Sequence, residues 1–195
     1  MKAMRRPAML GEEKKISLGQ VAVFVLIAFA VLVLLVQSYL SLFCFGVVVD
    51  GASMENTFFD GEFVYARRTQ QASRGDVIII DVTKYKEHDH ISGDFIIKRL
   101  IAVEGDTVCC EEGVVYVKAA GEEEFHSLSE PYAKGETEDF PPVSVGKGEI
   151  YFLGDNRTVS YDSRRLGCYL AEDIAGVVPD WAIAVKGFTT AWNGL

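Results

Sequence analysis

After Lys15 the chain carries no lysine or arginine until Arg67, a gap that no cytosolic loop or nucleic-acid-binding arm would leave. Histidine is almost as scarce. Only His88, His90 and His126 occur, all in polar, loop-like surroundings, so a Ser-His-Asp site has no histidine on a rigid element to draw on. The four cysteines, Cys44, Cys109, Cys110 and Cys168, form no CxxC or zinc-ligand spacing, which removes the common structural zinc patterns. Cys109 and Cys110, adjacent on a strand, point to opposite faces and do not bridge one another easily. A bridge from that pair to Cys168 stays open. Internal repeats are absent, and so is a second apolar run of membrane length: "DWAIAVKGF" near the C-terminus is too short to span. With 19 basic against 28 acidic residues the net charge is −9, so nothing offsets phosphate repulsion and nucleic acid is not an expected partner.

What the chain does have is one long apolar run. Val21 to Val36, "VAVFVLIAFAVLVLLV", holds no charge and no polar side chain, and Leu18 to Leu42 adds only a few uncharged polar groups. At about 1.5 Å per residue the longer segment makes roughly 37 Å of helix, enough to cross a hydrocarbon core of about 30 Å with some tilt. A cleaved signal sequence has a shorter apolar region ending at small residues, and here the run gives way to "QSYLSLFCFG" instead. A retained transmembrane helix is expected. Residues 1–20 hold five basic and two acidic residues, a net +3, while the remainder holds 14 basic and 26 acidic, a net −12. The positive-inside rule then keeps the N-terminus in the cytoplasm. The expected organisation is a cytoplasmic basic tail over 1–17, a single-pass transmembrane helix over 18–42 in the cytoplasmic membrane, and an extracytoplasmic domain over 43–195. About 150 residues bury roughly 68–70% of their unfolded surface, so that domain has room for a core.

The exported part reads as mainly β. "EFVYARR", "GDVIIIDV", "DFIIKRLIAV", "DTVCCEEGVVYVKAA", "EIYFLGD" and "IAGVVPDWAIAV" are short runs rich in Val, Ile, Phe and Tyr, punctuated by Gly and Asp. "EEG" at Glu111–Gly113 marks a hairpin turn. Gly121 to Gly148 is polar, and an exposed insert is expected around 107–148, with the acid run Glu122–Glu124 a solvated surface. Three small motifs carry little. "RGD" at Arg74–Asp76 opens a strand and reads as a turn. "HDH" at His88–His90 lacks the further ligands that a metal needs. "NRT" at Asn156–Thr158 matches a glycosylation acceptor but lies in a stretch with a different role.

Chemistry centres on one hydroxyl. In "VVVDGASMENTFFDGEF" Ser53 follows two small residues, and it is either turn chemistry or a nucleophile, depending on whether a base reaches it. Lys98, in "DFIIKRLIAV", shares a two-residue period with Ile96 and Leu100. On an exposed face it would snorkel into water. Under an apolar cover, desolvation would lower its pKa and make it a competent general base in a Ser-Lys pair. A third stretch, "GEIYFLGDNRTVSYDSRRLG", sets Asp155, Asn156, Ser160, Asp162, Ser163 and Arg164 just after an apolar strand, as a buried polar network would need.

Ser53 in "VDG.SM", then "RGDV", "IIKR", "GDTV", "GVVYV", "EPY" and "YFLGDNR", in that order, resemble the bacterial type I signal peptidases from the apolar run to about Val178. The resemblance implies a compact, coiled β-sheet catalytic domain of the signal-peptidase type on an N-terminal transmembrane helix. It implies Ser53 as nucleophile and Lys98 as general base. Met54 would pack beneath the substrate cleft, and Ser160 would hydrogen-bond the lysine amine. Asp162 and Arg164 would form a supporting ion pair with Arg99 alongside, and Gly154 and Asp155 would shape the floor near the dyad. No cofactor or metal is implied. The implied partners are secreted preproteins with small residues at −1 and −3, membrane lipid, and a nearby secretion translocon. The chain departs from the family at Asn56, where proline is usual, at Gly61-Glu62, and at "AVEGD" (Ala102–Asp106). At Gly51 some members carry a serine whose hydroxyl helps hold the oxyanion. Two other readings share this chemistry or fold: an autocleaving Ser-Lys protease of the repressor type, and an inactive membrane-tethered binding module. The first would need an N-terminal helix-turn-helix where this chain is apolar. The second would show itself by loss of Ser53, Lys98 or Ser160.

Overall fold

The computed structural model describes residues 17–85 and 93–184, in two compact units that meet at Leu42–Phe43. The first is helix α1 (Leu18–Phe43), free of charged side chains and with no buried residue. Its start is capped reciprocally: Ser17 N–H donates to Gln20 Oε1 (2.9 Å) and Gln20 N–H to Ser17 Oγ (3.3 Å), which satisfies two of the otherwise unpaired first-turn donors. By length and composition α1 is a candidate membrane span.

The second unit is mainly β, as expected. Its strands are β1 (Cys44–Val48), β2 (Phe63–Arg67), β3 (Val77–Asp81), β4 (Phe95–Val103), β5 (Thr107–Glu111), β6 (Val114–Lys118), β7 (His126–Ser127), β8 (Phe140–Ser144), β9 (Glu149–Leu153), β10 (Tyr169–Leu170) and β11 (Ile174–Val178), with one short helix, α2 (Ser163–Leu166). Seven strands form an antiparallel sheet in the order β1-β2-β11-β3-β4-β9-β10, and four form a second in the order β7-β6-β5-β8. "VIIID" shows why β3 lies centrally. Val77 and Ile79 pack into one apolar cluster with Met54 and Phe58, while Ile78 and Ile80 pack into another with Leu100 and Phe152. The two-residue period sends alternate side chains to opposite faces, and here both faces are covered. Between Leu100 and Ala102 the β4–β9 register shifts, and beyond it Ile101 and Ala102 join a third cluster with Val108, Val115, Tyr151 and Leu153.

The hairpin turn sits at Glu112 and Gly113, both at positive φ. Residues 107–148 supply all four strands of the second sheet, with Val108, Cys110, Val115, Thr137 and Val145 among the buried residues; Glu122–Glu124 are exposed. "IAGVVPDWAIAV" is a strand only to Val178. Pro179 has no N–H for the ladder, and Ala182 N–H instead closes a helical turn on the Pro179 carbonyl (2.9 Å). "RGD" is a turn, with Gly75 at φ +95°, Arg74 paired to Asp106 and the Asp76 carboxylate capping Ser73 N–H. All four cysteines are free thiols. The "HDH" motif lies outside the described residues.

Candidate active site

The Ser53 loop is tied at both ends. Val49 N–H donates to the Glu62 carbonyl and Gly61 N–H to the Val49 carbonyl, each at 2.8 Å, while Gly51 N–H donates to Asp60 Oδ1 (2.8 Å). Past Ser53 the chain makes a tight turn in which Thr57 and Phe58 N–H donate to the Met54 carbonyl. Met54 and Phe58 are fully buried and plug that turn into the core with Val64, Ile79, Ile97 and Val178. The hydroxyl of Ser53 therefore stands on a loop whose next residue cannot shift without disturbing the core.

Lys98 lies opposite Ile78 in the β3–β4 ladder and is only 5% exposed. Its Nζ donates to Ser53 Oγ at 2.8 Å and to the Ile97 carbonyl at 3.0 Å. Burial pushes its pKa down from 10.5 to about 8, against the opposing pull of the Asp162 and Asp155 carboxylates. Each carboxylate has its own cation. Arg99 grips Asp155 through Nε (2.8 Å) and Nη2 (2.6 Å), and Arg164 grips Asp162 through Nε (2.8 Å) and Nη2 (2.9 Å). Arg99 was expected alongside the Asp162–Arg164 pair; its carboxylate partner is Asp155 instead, because β4 runs beside β9 and delivers Arg99 opposite Leu153. Asp162 also accepts from Gly154 N–H (2.9 Å) and caps α2 at Arg164 N–H.

The loop after β9 completes the site. Asn156 N–H donates to the Ser53 carbonyl (3.0 Å), and Thr57 Oγ1 donates to Asp155. Gly154 is pressed against the nucleophile: a Cβ there would stand 2.1 Å from Ser160 Oγ and 2.6 Å from the Ser53 carbonyl oxygen. Ser160 corrects an expectation. Its Oγ is buried and unpartnered among the described residues, and the bond to the lysine amine is not made: Nζ bonds Ser53 Oγ and the Ile97 carbonyl instead. Asn156 is buried, with its amide on Glu55 Oε2 (3.2 Å), and offers no acceptor site for a glycan. His126 is exposed on β7, in the other sheet. Glu55, Thr57, Glu130, Tyr132, Lys134 and Arg157 also join this network. In the sequence "EPY" carried Glu130 and Tyr132 and "YFLGDNR" carried Arg157, but nothing local paired them, because Glu130 meets Arg157 across 27 residues and Glu55 meets Asn156 across 101.

The dyad opens onto a cleft of about 300 Å³ in which Val47, Val48, Ala52, Ile79, Ile96 and Ile97 stand beside Asp50 and Tyr161. Ser53 N–H, next to the nucleophile, donates to no acceptor among the described residues and is available to an oxyanion. Gly51 has φ +85° with open space where a side chain would go. A Cβ there would meet nothing within 4 Å, but the left-handed backbone costs a non-glycine residue about 1–2 kcal/mol. Gly51→Ser is therefore expected to lower Tm by a few degrees without raising kcat, as thermal unfolding and steady-state cleavage will show. A higher kcat would mean that the hydroxyl reaches the developing charge. Asn56 has φ +93°, an angle closed to the proline usual at this position, and its side-chain amide donates to the Tyr132 carbonyl (3.2 Å). Among the described residues no three or more His, Cys, Asp or Glu side chains group as a metal site would need.

A family model described as "Signal peptidase, peptidase S26" matches residues 19–181. The chain is 36% identical over 145 residues to a signal peptidase I of Bacillus licheniformis, covering 66% of this chain and 71% of that protein. It is 34% identical over 141 residues to signal peptidase I T of Bacillus subtilis (strain 168), covering 65% and 66%. A crystal structure of a signal peptidase I from Enterococcus faecalis V583 aligns at TM-score 0.44 and 28% identity, over 56% of this chain and 97% of that one. With the family model spanning most of its length, this chain belongs to the signal peptidases of family S26, serine endopeptidases that remove signal peptides.

Proposed function

We propose that Ser53 and Lys98 perform this cleavage as nucleophile and general base, through an acyl-enzyme. The observation that carries the assignment is the 2.8 Å contact between Lys98 Nζ and Ser53 Oγ, with the amine buried in apolar surroundings. Neutral Lys98 takes the Ser53 proton as Oγ attacks the scissile carbonyl carbon, and Ser53 N–H donates to the oxyanion. The protonated amine then gives its proton to the leaving α-amine, which frees the mature protein and leaves the signal peptide esterified to Ser53. Lys98, neutral again, deprotonates a water that attacks the ester carbonyl, and it returns that proton to Ser53 Oγ as the ester bond breaks and the signal peptide leaves. Met54 supports the loop from below. Gly154, Asp155 and Arg99 form the floor, and Asp162 with Arg164 holds the loop after β9. Ser160 borders the site beside Gly154.

The apolar wall of the cleft, with Val47, Ala52 and Ile96, suits small side chains at −1 and −3 of a preprotein. Helix α1 is the single-pass anchor, in contact with membrane lipid, with 1–17 as a basic cytoplasmic tail and 43–195 as an extracytoplasmic domain near the translocon. The +3 charge before the apolar run and the −12 after it support that orientation. The test is cleavage of a preprotein by the detergent-solubilised full chain and by Ser53→Ala. Loss of at least about 10⁴-fold in kcat is expected of the variant. Equal cleavage by both would overturn the mechanism.

A further inference from the structure

We propose that Tyr132 is a positioning residue for the dyad: carried on a strap between β7 and β8, its ring holds Arg99 on Asp155 and so fixes the Ser53 loop and the charge around Lys98. The proposal rests on the Ser53–Lys98 assignment above and extends it to the second sheet.

Residues 130–134 lie outside the sheet that bears Lys98, yet their polar bonds run to the two catalytic loops. The Tyr132 carbonyl accepts from Asn56 Nδ2 (3.2 Å), and Lys134 Nζ pairs with Glu55 Oε2 (2.7 Å), so the strap grips the two residues after Met54. Lys134 N–H donates to the Asp155 carbonyl (2.7 Å), Arg157 N–H donates to the Lys134 carbonyl (2.9 Å), and Glu130 pairs with the Arg157 guanidinium. Between these ties the Arg99 guanidinium carbon sits 3.8 Å from the centre of the Tyr132 ring. Every nitrogen of that guanidinium is engaged: Nε and Nη2 on Asp155, Nη1 on the Gly75 carbonyl (2.7 Å), and Nη2 also on Thr57 Oγ1 (3.2 Å). The ring closes its open face.

The groups facing the Lys98 amine make Arg99 matter. Ser53 Oγ and the Ile97 carbonyl are neutral, and so is Ile78 across the ladder. The charged groups acting on it are the carboxylates of Asp155, after β9, and Asp162, before α2, each compensated by its own arginine, Arg99 or Arg164. A cation covered by an aromatic face gains most when water is excluded. Removing the ring admits water to Arg99 and loosens it from Asp155. The less compensated carboxylate then favours protonated Lys98, and the Thr57 and Asn56 anchors of the nucleophile loop slacken with it.

The test measures kcat and KM against pH for the full chain in detergent, as wild type, Tyr132→Phe and Tyr132→Leu. Tyr132→Leu is expected to move the acid limb upward by about half to one pH unit and to cut kcat near pH 7 by about three- to tenfold, with KM within about twofold. Tyr132→Phe keeps the ring, loses only the hydroxyl's bond to Glu130, and is expected to restore the wild-type limb. A folded Tyr132→Leu enzyme with an unmoved limb overturns the proposal, and so does a Phe variant as impaired as Leu. Should Tyr132→Leu fail to fold, Lys134→Met and Glu55→Gln decide. Each should lower kcat, and the double variant should be no worse than either; unchanged kcat in both overturns the strap. Failure of the underlying assignment would look different, with the limb surviving replacement of Lys98 itself.

Discussion

Lys98→Arg is expected to lose on the order of 10⁴-fold in kcat/KM and to abolish the acid limb of the pH profile. With the Lys98 pKa pushed down to about 8, the wild-type amine is protonated at low pH and cannot accept the Ser53 proton. As pH rises the neutral fraction grows about tenfold per unit, reaches roughly one in ten at pH 7, and levels off above 8. The enzyme should therefore work best on the alkaline side of neutral. A guanidinium stays protonated throughout this range, so the arginine variant has no limb to show. It also brings a longer planar head to a position where Lys98 is only 5% exposed. The check is kcat/KM from pH 5 to 10 for both proteins. A Lys98→Arg enzyme with near-normal cleavage and the wild-type limb would remove Lys98 as the base.

Gly154→Ala should be nearly as damaging without touching either member of the dyad. The added methyl would stand 2.1 Å from Ser160 Oγ and 2.6 Å from the Ser53 carbonyl oxygen, distances that cannot be tolerated without movement. Ser160 is buried and Asn156 N–H holds the Ser53 carbonyl at 3.0 Å, so relief has to come from shifting the loop after β9 or the Ser53 loop. Overpacking of this kind costs typically about 1–3 kcal/mol of stability. The catalytic loss should be larger, about 10²-fold or more, because a displacement near 1 Å breaks the 2.8 Å alignment of Nζ with Oγ. Adding Ser160→Gly removes the side-chain clash but leaves the one with the Ser53 carbonyl, so activity should recover only in part. Thermal unfolding together with kcat separates the two effects. A Gly154→Ala enzyme of normal kcat would show that the Ser53 loop has more freedom than its packing implies.

These expectations rest on two kinds of information. Local pattern alone determined that the part after the apolar run is mainly β, that Leu18 onward is one long apolar helix, and that Glu111–Gly113 turns a hairpin. A two-residue period, a charge-free run and a turn signal are each written in neighbouring residues. Pattern did less well where a proline intervened, since β11 stops before Pro179; the polar stretch before Gly148 is largely exposed while it supplies β7 and β8. Only the tertiary structure decided which groups meet. Ser53 and Lys98 are 45 residues apart, Arg99 and Asp155 are 56 apart, and Asn56 and the Tyr132 carbonyl are 76 apart. Nothing local distinguishes Asp155 from Asp162 as the partner of Arg99, or the Ile97 carbonyl from Ser160 Oγ as a partner of the lysine amine. Those choices follow from strand order, the register shift in β4 and the closeness that Gly154 permits. Hydrogen bonds and ion pairs select by distances of tenths of an ångström, which the packed core sets and the order of residues along the chain does not.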